Sequence, residues 1–550
     1  MRRPAAALAV GLVAAACSGP PAAAPASSTT TTEATTTTAA EPDLAHVAMR
    51  ITIDLAPDAA WADGRPVQFA DFECTVEANR DTPGALSASA FAGLRVRQGA
   101  SAKQVIVELN RVNAAYRNQF NGLLEAGSVD DCSDVSHDFG SDLPISARPF
   151  RIESWSPTEE ILVRNEAYAG PHRALADRVV IRPVTGGGVD ALLAGDVDFV
   201  MPQVGPNVEA NLGQAESIET RIGGAGVSYE NLYFGQLGPF ADPTFRTAFS
   251  ESIDRDGLLA TVYAPDRPGV APLTCGAWVP SVGPWCEGTA FASTFEPDRS
   301  AALLTADGWA RGDDGLWARD GDTPTIRFMV DEGNARREAA QAYLIPQLRA
   351  AGFDVVADNC DAACVFQARL PQVDYDLAMY INTAAVEPSV FLLYACGAGQ
   401  NTVGWCDEEA TLLMEDIDQE LDVDRRAAMI HELDGLLAEN AVTLPLVQSQ
   451  HLAAWRTDRL AGPVGDEADN YLTFAANLWA WDPGPDGEIV IGAEQWPDCI
   501  NPVTACANSS WAFWTTSALV LPSVWDTTAD GGYEITDIVA GEPTVEVLDD

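Results

Sequence analysis

Alternation of apolar and polar residues predicts short strands near both ends of the chain. Met49-Arg-Ile-Thr-Ile-Asp-Leu55 alternates as a half-buried strand does, and so does Pro543-Thr-Val-Glu-Val-Leu548. The run Ile489-Val-Ile-Gly492 is continuously apolar, which is typical of a strand buried on both faces. The strand at Met49 has no earlier strand to pair with, and the strand at Leu548 has no later one. We therefore expect these two strands to pair antiparallel, which would dock residues 485–550 on the body.

Two stretches of the chain follow a strand pattern with a helix pattern and then with a second strand. In the first stretch, Arg178 to Pro183 predicts a strand, and the short helix after it ends at Gly195 before the strand at Val197 to Val200. The order recurs from Thr325 to Val356, with Gly352 at the position of a C-terminal capping glycine. Repeated strand-helix-strand units predict an α/β fold, and their separation along the chain favours two lobes.

Two further helices are predicted from spacing and capping. Asp424 to Glu439 places its apolar residues on one helical face, which predicts a helix packed on a core. After the turn at Asp63-Gly64, a helix is expected to begin with Asp71 as its N-cap.

Composition limits the class of partner. The chain has 550 residues, more than one hydrophobic core usually serves, so two or three domains are expected. Acidic residues number 80 against 32 basic ones, which gives a formal net charge of −48. A surface this negative repels phosphate backbones, so nucleic acid is not expected as a partner.

The first residues are typical of an export signal. Arg2-Arg3 precede an apolar stretch from Ala5 to Ala16, which is too short to span a bilayer as a mature helix. Ala14-Ala15-Ala16-Cys17 resembles a bacterial lipobox, in which the cysteine becomes the lipidated first residue. Ordinary cleavage at an Ala-x-Ala site is the alternative. Residues 18–43 are rich in Pro, Ala, Ser and Thr and are predicted to be a disordered tether.

Cysteine usage agrees with an exported protein. The chain has 11 cysteines, and setting Cys17 aside leaves an even number. Exported chains favour disulfides, and spacing suggests four close pairs and one longer one: Cys275 with Cys286, Cys360 with Cys364, Cys396 with Cys406, Cys499 with Cys506, and Cys74 with Cys132. A zinc site at Cys360 and Cys364 is the alternative, but no histidine or second tight pair completes a ligand set.

Signatures of enzymes are missing from the sequence. It contains no Gly-x-Ser-x-Gly elbow, no Ser-x-x-Lys and no His-Glu-x-x-His, and its 5 histidines are scattered. We therefore predict that the protein is not an enzyme and uses no cofactor or metal. A secreted hydrolase remains the alternative.

Six groups of residues, in order over about residues 48–482, resemble the extracytoplasmic solute-binding proteins of ABC importers, in particular the oligopeptide, dipeptide and nickel class known as family 5. The groups are Trp61-Ala-Asp-Gly-Arg-Pro-Val67 with Asp71; Pro149-Phe-Arg-Ile-Glu-Ser-Trp155 with Arg164-Asn165 and Tyr168-Ala-Gly170; Asp242-Pro-Thr-Phe-Arg246 with Ser252-Ile-Asp-Arg255; Asp376-Leu-Ala-Met-Tyr380; Glu387-Pro388; and Leu436-Leu-Ala-Glu439 with Leu444-Pro-Leu446.

The resemblance implies a large two-lobed binding protein of the type II, class C-like kind, with the ligand in a cleft between the lobes. The expected boundaries are a lipoprotein signal peptide at 1–17, a tether at 18–43, lobe I at 44–265 with a small subdomain at about 44–145, lobe II at 266–470, and a return to lobe I at 471–550. The expected protein is a lipid-anchored monomer on the outer face of the membrane or in the periplasm. It would deliver a small polar or peptide-like ligand to ABC permease subunits, and a transporter-independent nutrient sensor is a further alternative.

The resemblance also implies positions for the ligand. Peptide binders of this family hold the ligand's amino group with an acidic residue ahead of the Glu-Pro step, and that position is Ala384 here. A peptide amine would therefore lack its usual partner. The candidate cleft residues are Tyr229, Asn231, Asn382, Thr383, Trp405, Trp496 and Trp511. For each of them, packing in a core or beside a disulfide is the alternative.

The same resemblance bears on the tail. Members of the family begin with a strand, an Asn-Pro step, an aromatic helix and a second approach strand, and residues 485–550 resemble that opening segment placed last. Circular permutation and a truncated second copy are the two possible histories.

Overall fold

The structure is a computed structural model, and the elements that position the candidate site all lie in its described part. The described residues are 46–139, 145–202, 208–223, 226–265, 267, 269–292, 295–362, 364–384, 386–387, 389–468, 473–497, 499–504, 518–529 and 531–548. The predicted signal peptide, the lipidation site Cys17 and the tether lie outside these residues.

Within this part of the chain, the segments with strand and helix patterns form 20 strands and 11 α-helices. The strands are β1 Met49–Asp54, β2 Leu94–Gln98, β3 Gln104–Leu109, β4 Phe150–Ser156, β5 Glu159–Arg164, β6 Arg178–Pro183, β7 Phe199–Val200, β8 Ile218–Ile222, β9 Ser228–Phe234, β10 Ala310–Arg311, β11 Trp317–Ala318, β12 Thr325–Met329, β13 Asp354–Ala357, β14 Leu377–Thr383, β15 Thr443–Gln448, β16 Leu452–Arg456, β17 Glu488–Ala493, β18 Trp525–Thr527, β19 Tyr533–Ile535 and β20 Thr544–Val547. The helices are α1 Phe69–Asp81, α2 Ala88–Phe91, α3 Val189–Ala194, α4 Val208–Leu212, α5 Pro243–Ser250, α6 Arg255–Leu258, α7 Pro297–Ala306, α8 Ala335–Ala350, α9 Phe391–Tyr394, α10 Glu408–Gln419 and α11 Val423–Glu439.

Lobe I is built on a seven-stranded sheet with the order β4-β5-β6-β17-β7-β16-β8. Its central strand β17 comes from the tail and runs parallel to both β6 and β7, with Ile491 beside Ile181 on one side and Phe199 on the other. Ile489 and Ile491 are buried, as the continuous apolar run predicts. The tail strand therefore joins two parts of the sheet that do not otherwise pair.

A four-stranded antiparallel sheet completes lobe I, with the order β2-β3-β1-β20. Met49 pairs with Val547 and Thr52 with Thr544, and the amide of Leu548 donates to the carbonyl of Ala48 at 2.8 Å. The predicted antiparallel pairing of the two end strands is confirmed.

Lobe II is built on a five-stranded sheet with the order β13-β12-β14-β9-β15. Strands β12 and β13 are parallel and are connected through α8, as the strand-helix-strand pattern predicts. The helix ends just before Gly352, whose φ of 97° suits a residue without a side chain. The predicted helix at Asp424 to Glu439 is α11.

The sheets place two segments differently from the expected lobe boundaries. Strand β16, expected in lobe II at 266–470, pairs with β7 and β8 in the sheet of lobe I. Strand β9, which those boundaries assign to lobe I, pairs with β14 and β15 in the sheet of lobe II. All seven of its residues are buried, so its sequence has no alternation that would show which sheet it joins.

The start of α1 also differs from the prediction. The N-cap is Gln68 rather than Asp71, and Asp71 is the third residue of the helix, where it closes a capping box. Its Oδ2 accepts from the amide of Gln68 at 2.8 Å and from Trp61 Nε1 at 3.0 Å. The hydrogen bond from the Trp61 indole holds the Asp71 carboxylate inside the first turn, so the helix starts before Asp71.

Disulfides join the cysteines that spacing paired. Four bridges are described, namely Cys74 to Cys132, Cys275 to Cys286, Cys360 to Cys364, and Cys396 to Cys406. Cys499 is disulfide-bonded as well. Cys506, its expected partner, lies outside the described residues.

The described part of the tail packs on lobe I. Side chains at Ile489, Ile500, Val520, Val524 and Trp525 are buried, and burial of this kind contributes about 25 cal/mol per Å2 of apolar surface. The predicted docking of the tail is confirmed for these residues. No helix in the described part of the chain combines the length and apolar character needed to cross a membrane.

Candidate functional site

The chain passes between the seven-stranded and five-stranded sheets at two neighbouring places. The first crossing lies between Ile222 of β8 and Ser228 of β9, and the second lies between Gln448 of β15 and Leu452 of β16. The two crossings are hydrogen-bonded to each other, since the amide of Gly223 donates to the carbonyl of His451 at 2.8 Å and that of Ser449 to Ser228 at 2.7 Å. Because only these short segments connect the two sheets, they form a hinge.

Polar side chains lie on lobe II where β9 and β14 meet the first crossing. Asn382 pairs across the sheet with Tyr229, and Thr383 pairs with Ser228, with their hydroxyls 3.3 Å apart. Asn382 Nδ2 donates to the hydroxyl of Tyr233 at 2.8 Å and also hydrogen-bonds to Tyr229. Burial raises the pKa of Tyr229, so its phenol stays neutral. The structure therefore brings together Tyr229, Asn382 and Thr383, three of the predicted cleft residues.

Asn231 lies two residue pairs further along the same sheet, opposite Tyr380, and is fully buried. Its Nδ2 donates to the carbonyl of Gly276 at 2.6 Å and to Thr443 Oγ1 at 3.2 Å. These bonds attach β9 to the loop that carries the Cys275 to Cys286 disulfide, so the observed role of Asn231 is to position that loop.

The predicted tryptophans lie in separate places. Trp405 is buried in the core of lobe II beside the Cys396 to Cys406 disulfide. Trp496 is half-buried at the end of β17 in lobe I, and its Nε1 donates to the carbonyl of Ser156 at 3.1 Å. Trp511 lies outside the described residues. Packing therefore accounts for Trp405, while Trp496 sits at the carboxyl end of a parallel strand, where ligands of α/β sheets commonly bind.

A buried ion cluster lies behind the opposite face of β9. Glu230 is fully buried; its Oε1 accepts from Arg337 Nε at 2.6 Å, and its Oε2 accepts from Arg336 Nε at 3.1 Å. Arg337 also pairs with Asp331 through its Nη1 at 2.5 Å, and the hydroxyl of Tyr263 donates to Glu230 at 2.7 Å. Burial favours the neutral acid, but the attraction of Arg336 and Arg337 outweighs it and lowers the pKa of Glu230 to about 2. Sequence reasoning missed this cluster; an acidic residue inside an apolar strand was the only signal.

A cavity of about 300 Å3 lies beside the second crossing, and we call it the hinge pocket. Its walls include Arg267, Val270, Thr274, Pro280, Gln448 and Gln450. Arg267 Nε donates to Gln450 Oε1 at 2.9 Å, and its Nη2 donates to the carbonyl of Gln448 at 2.8 Å. Gln448 is fixed in turn, because its Nε2 donates to the carbonyl of Gly226 in the first crossing at 2.6 Å.

The two lobes also touch at a point away from the crossings. Arg117 of lobe I pairs with Glu387 of lobe II at 3.3 Å, and Glu387 pairs with the buried Arg426 at 2.7 Å. Nearby, the amide of Ala114 donates to the carbonyl of Asp418 at 2.7 Å. Direct contacts of this kind hold the lobes together in the state that the structure represents.

The tail takes part in this interlobe contact. Tyr533 of β19 donates to Asn118 Oδ1 at 2.6 Å, and the Arg117 guanidinium lies 5.8 Å from its ring centre. Gly531, in the turn between β18 and β19, lies close to lobe II: a Cβ atom at this position would be 3.4 Å from the side chain of Val282. Sequence reasoning expected the tail to complete lobe I but did not predict that it would reach lobe II.

Replacing Arg117 by Gln is expected to favour the open arrangement of the lobes with little loss of stability. The Arg117 side chain is 30% exposed, and partly exposed ion pairs contribute at most about 1 kcal/mol. A loss of that size would change the ratio of open to closed molecules by about fivefold. Small-angle X-ray scattering should therefore show a larger radius of gyration than for the unmodified protein.

Arg50→Gln is the matched control for this experiment. Arg50 is 31% exposed and pairs with Glu108 and Glu546 inside the small sheet of lobe I. Its loss should leave the scattering curve unchanged. Identical curves for Arg117→Gln and Arg50→Gln would show that the interlobe ion pair does not hold the lobes together.

Comparisons with known proteins agree with this architecture. Residues 37–403 match the family model described as "Bacterial extracellular solute-binding proteins, family 5 Middle". The oligopeptide-binding proteins OppA of Mycobacterium bovis and Mycobacterium tuberculosis are 22% identical over 429 residues, which is 74% of this chain and 70% of theirs.

Solved structures share the fold at low sequence identity. NikZ from Campylobacter jejuni in complex with Ni(L-His) superposes with a TM-score of 0.69 at 16% identity, covering 79% of this chain and 88% of that one. AppA from Bacillus subtilis in complex with a nonapeptide gives a TM-score of 0.68 at 18% identity, covering 79% and 87%. These likenesses identify the fold as that of the two-lobed binding proteins. With its hinge, its two lobes and the family model that matches more than half of its length, the chain belongs to the bacterial extracellular solute-binding proteins of family 5.

Proposed function

We propose that the protein is a lipid-anchored receptor that captures a small polar solute between its lobes and delivers it to the permease of an ABC transporter. The observation that carries this proposal is the hinge, with polar side chains on lobe II beside it. A ligand that contacts both lobes favours the closed state, because those contacts exist only there. The OppA relatives are oligopeptide-binding proteins by name, and NikZ was solved with a nickel–histidine complex.

The chemistry of the hinge region favours a polar ligand. Thr383 is exposed, Asn382 is half-buried, and Gln448 and Gln450 border the second crossing. At the position where peptide binders carry an acidic anchor, Ala384 is buried, and its amide donates to the carbonyl of Val227 at 2.9 Å. A free peptide amine therefore has no carboxylate to meet at this position, and amides and hydroxyls supply the polar groups there.

Native mass spectrometry of the purified protein should detect a retained small molecule of fixed mass. Adding that molecule at one hundred times its dissociation constant is expected to stabilise the fold by about 2.7 kcal/mol. No retained mass, together with unchanged unfolding temperatures in peptides, sugars, polyamines and metal–histidine complexes, would contradict the proposal. Turnover of a substrate panel would instead support the alternative of a secreted hydrolase.

The anchoring part of the proposal rests on the lipobox-like sequence that ends at Cys17. Replacing Cys17 by Ala is expected to move the protein from the membrane fraction to the soluble exported fraction. An unchanged membrane fraction would argue against lipidation.

We further propose that residues 485–550 are the family's opening segment carried at the other end of the chain. Support comes from β17, which lies between β6 and β7, and from β20, which extends the small sheet beside β1. We keep the division into two lobes as part of the proposal, with β9 assigned to lobe II and β16 assigned to lobe I.

A further inference from the structure

Arg267 is one of several arginines whose hydrogen-bond partners are neutral oxygens, as are Arg246 and Arg255, and it differs from those two in lining a cavity. Acidic residues outnumber basic ones by 80 to 32, so most arginines can find a carboxylate. Arg267 is held instead by two neutral oxygens, Gln450 Oε1 and the carbonyl of Gln448. Among the described residues, no carboxylate oxygen lies within ion-pair distance of its guanidinium, and its Nη1 has no hydrogen-bond acceptor. Within the described part of the chain, its guanidinium therefore lies at the wall of a cavity without a carboxylate as ion-pair partner.

The surroundings of Arg267 add to this positive charge. Glu230, the carboxylate behind β9, is ion-paired with Arg336 and Arg337, and it attracts Arg267 only at longer range. Burial, together with the charges of Arg267 and Arg336, lowers the pKa of His451 to about 4. His451 is therefore neutral at physiological pH. The pKa of Arg267 falls to about 10 for the same two reasons, burial and Arg336, so the guanidinium stays protonated.

The hinge pocket has the shape and donors for a small anionic group. At about 300 Å3 it is well above the roughly 30 Å3 of one water molecule. Val270, Pro272, Pro280 and Val447 contribute apolar surface to its walls, and an ion pair is stronger beside apolar groups than in bulk water. Besides Arg267, the lining includes Thr274 and Gln450, which carry a hydroxyl and a side-chain amide; Gln450 Nε2 donates to no described residue.

We propose that the hinge pocket binds a carboxylate group, with Arg267 as its ion-pair partner and Gln450 and Thr274 as neutral donors. A planar guanidinium matches a carboxylate through two parallel hydrogen bonds, which favours it over other anions of similar size. Because Gln448 and Gln450 belong to the second crossing, occupancy of the pocket biases the hinge.

The carboxylate can come from the captured solute or from a free organic acid, and in the first case the inference rests on the proposed function. Isothermal titration calorimetry at constant ionic strength separates these sources. The probes are acetate, succinate and tri-L-alanine, each compared with its amide, namely acetamide, succinamide and tri-L-alanine amide. Saturable binding of acetate or succinate identifies a site for free acids. Binding of the tripeptide alone identifies a site for the carboxylate of a solute.

Arg267→Gln is expected to weaken binding of the carboxylate probes at least tenfold and to remove the preference for acid over amide. Arg311→Gln is the matched control, because Arg311 is also held by carbonyls, of Gly315 and Ala351, but is exposed and does not line the pocket. Its affinities should equal those of the unmodified protein. Gln450→Leu keeps the charge, removes one donor and should weaken binding about threefold, which provides a second test if Arg267→Gln does not fold.

Three results would overturn the inference. They are no saturable binding of any carboxylate probe to the unmodified protein, equal affinity for each acid and its amide, and unchanged affinity in both Arg267→Gln and Gln450→Leu. A retained solute that has no carboxylate and binds without Arg267, together with no saturable binding of acetate or succinate, would overturn it as well while leaving the proposed function intact.

Discussion

Deleting residues 485–550 is expected to abolish cooperative folding of lobe I. The deletion removes β17, the central strand of the seven-stranded sheet, so β6 and β7 lose their common neighbour. It also exposes the apolar surface that Ile489, Ile491 and Leu521 now cover. Many buried side chains are lost together, and each contributes roughly 1.5–3 kcal/mol, so the sum exceeds the 5–15 kcal/mol by which domains are stable. Circular dichroism during heating should show no cooperative transition for lobe I.

A shorter deletion provides the control. Removing residues 541–550 takes away only β20, an edge strand with four paired residues and mostly exposed side chains. That variant should fold and melt cooperatively at a somewhat lower temperature. If the long deletion melts like the short one, the tail does not complete the lobe.

Replacing Glu230 by Gln is expected to cost about 3–5 kcal/mol of unfolding free energy at pH 7. The change removes the carboxylate that the buried Arg336 and Arg337 share, while the ion pair of Arg337 with Asp331 remains, and breaking a buried ion pair is expensive. Urea unfolding at pH 7 measures the loss directly. Glu108→Gln is the matched control, because Glu108 is also a buried carboxylate facing arginines, but Arg95 and Arg97 are 34% and 45% exposed. Water can solvate those two, so this control should lose only about 1 kcal/mol.

The loss in Glu230→Gln should depend on pH in a defined direction. The pKa of Glu230 in the folded protein is about 2, below its ordinary value of 4.5. A carboxyl whose pKa is lowered by folding stabilises the folded state at pH values above its ordinary pKa. This contribution disappears as the pH falls through the pKa of the folded state. The difference in unfolding free energy between the two proteins should therefore be constant above about pH 5 and shrink from pH 4.5 towards pH 2. A difference that grows on acidification would show that the carboxylate is not charged in the folded state.

Local patterns were sufficient for much of the fold. Alternation at Met49–Asp54 and Thr544–Val547 predicted two strands that needed partners, and they pair with each other. Short separations along the chain predicted the Cys360 to Cys364 and Cys396 to Cys406 disulfides, because close cysteines lose little chain entropy on meeting. The period of apolar residues and the spacing of two close cysteines are properties of a short stretch of chain, so a single sequence contains both.

Interactions between distant residues were out of reach. Glu230 and Arg337 are 107 positions apart, and no local sequence pattern at either residue indicates the other as its partner. Strand β9 is buried on both faces, so its residue pattern could not show which lobe it joins. Glycines at 223 and 226 precede the strand, but they do not identify the sheet that it enters. The start of that strand carries Tyr229, which the family resemblance named, like Asn382, as a candidate cleft residue.

The candidate site was predicted in part for the same reason. Positions that follow the family's order, such as Tyr229, Asn382 and Thr383, meet at the hinge. Arg267 and Tyr533 were missed because the surroundings of each depend on residues remote in sequence. Arg267 contacts Gln448 and Gln450, and Tyr533 contacts Asn118.

The pairing of β1 with β20 has a mechanical consequence. Residues 48 and 548 are joined by a hydrogen bond, so a pulling force applied between them acts on one end of an antiparallel ladder. The bonds of such a ladder lie across the strands and break one after another instead of sharing the load. Strand β20 should therefore peel away at low force, while β1 remains held by its six paired residues with β3.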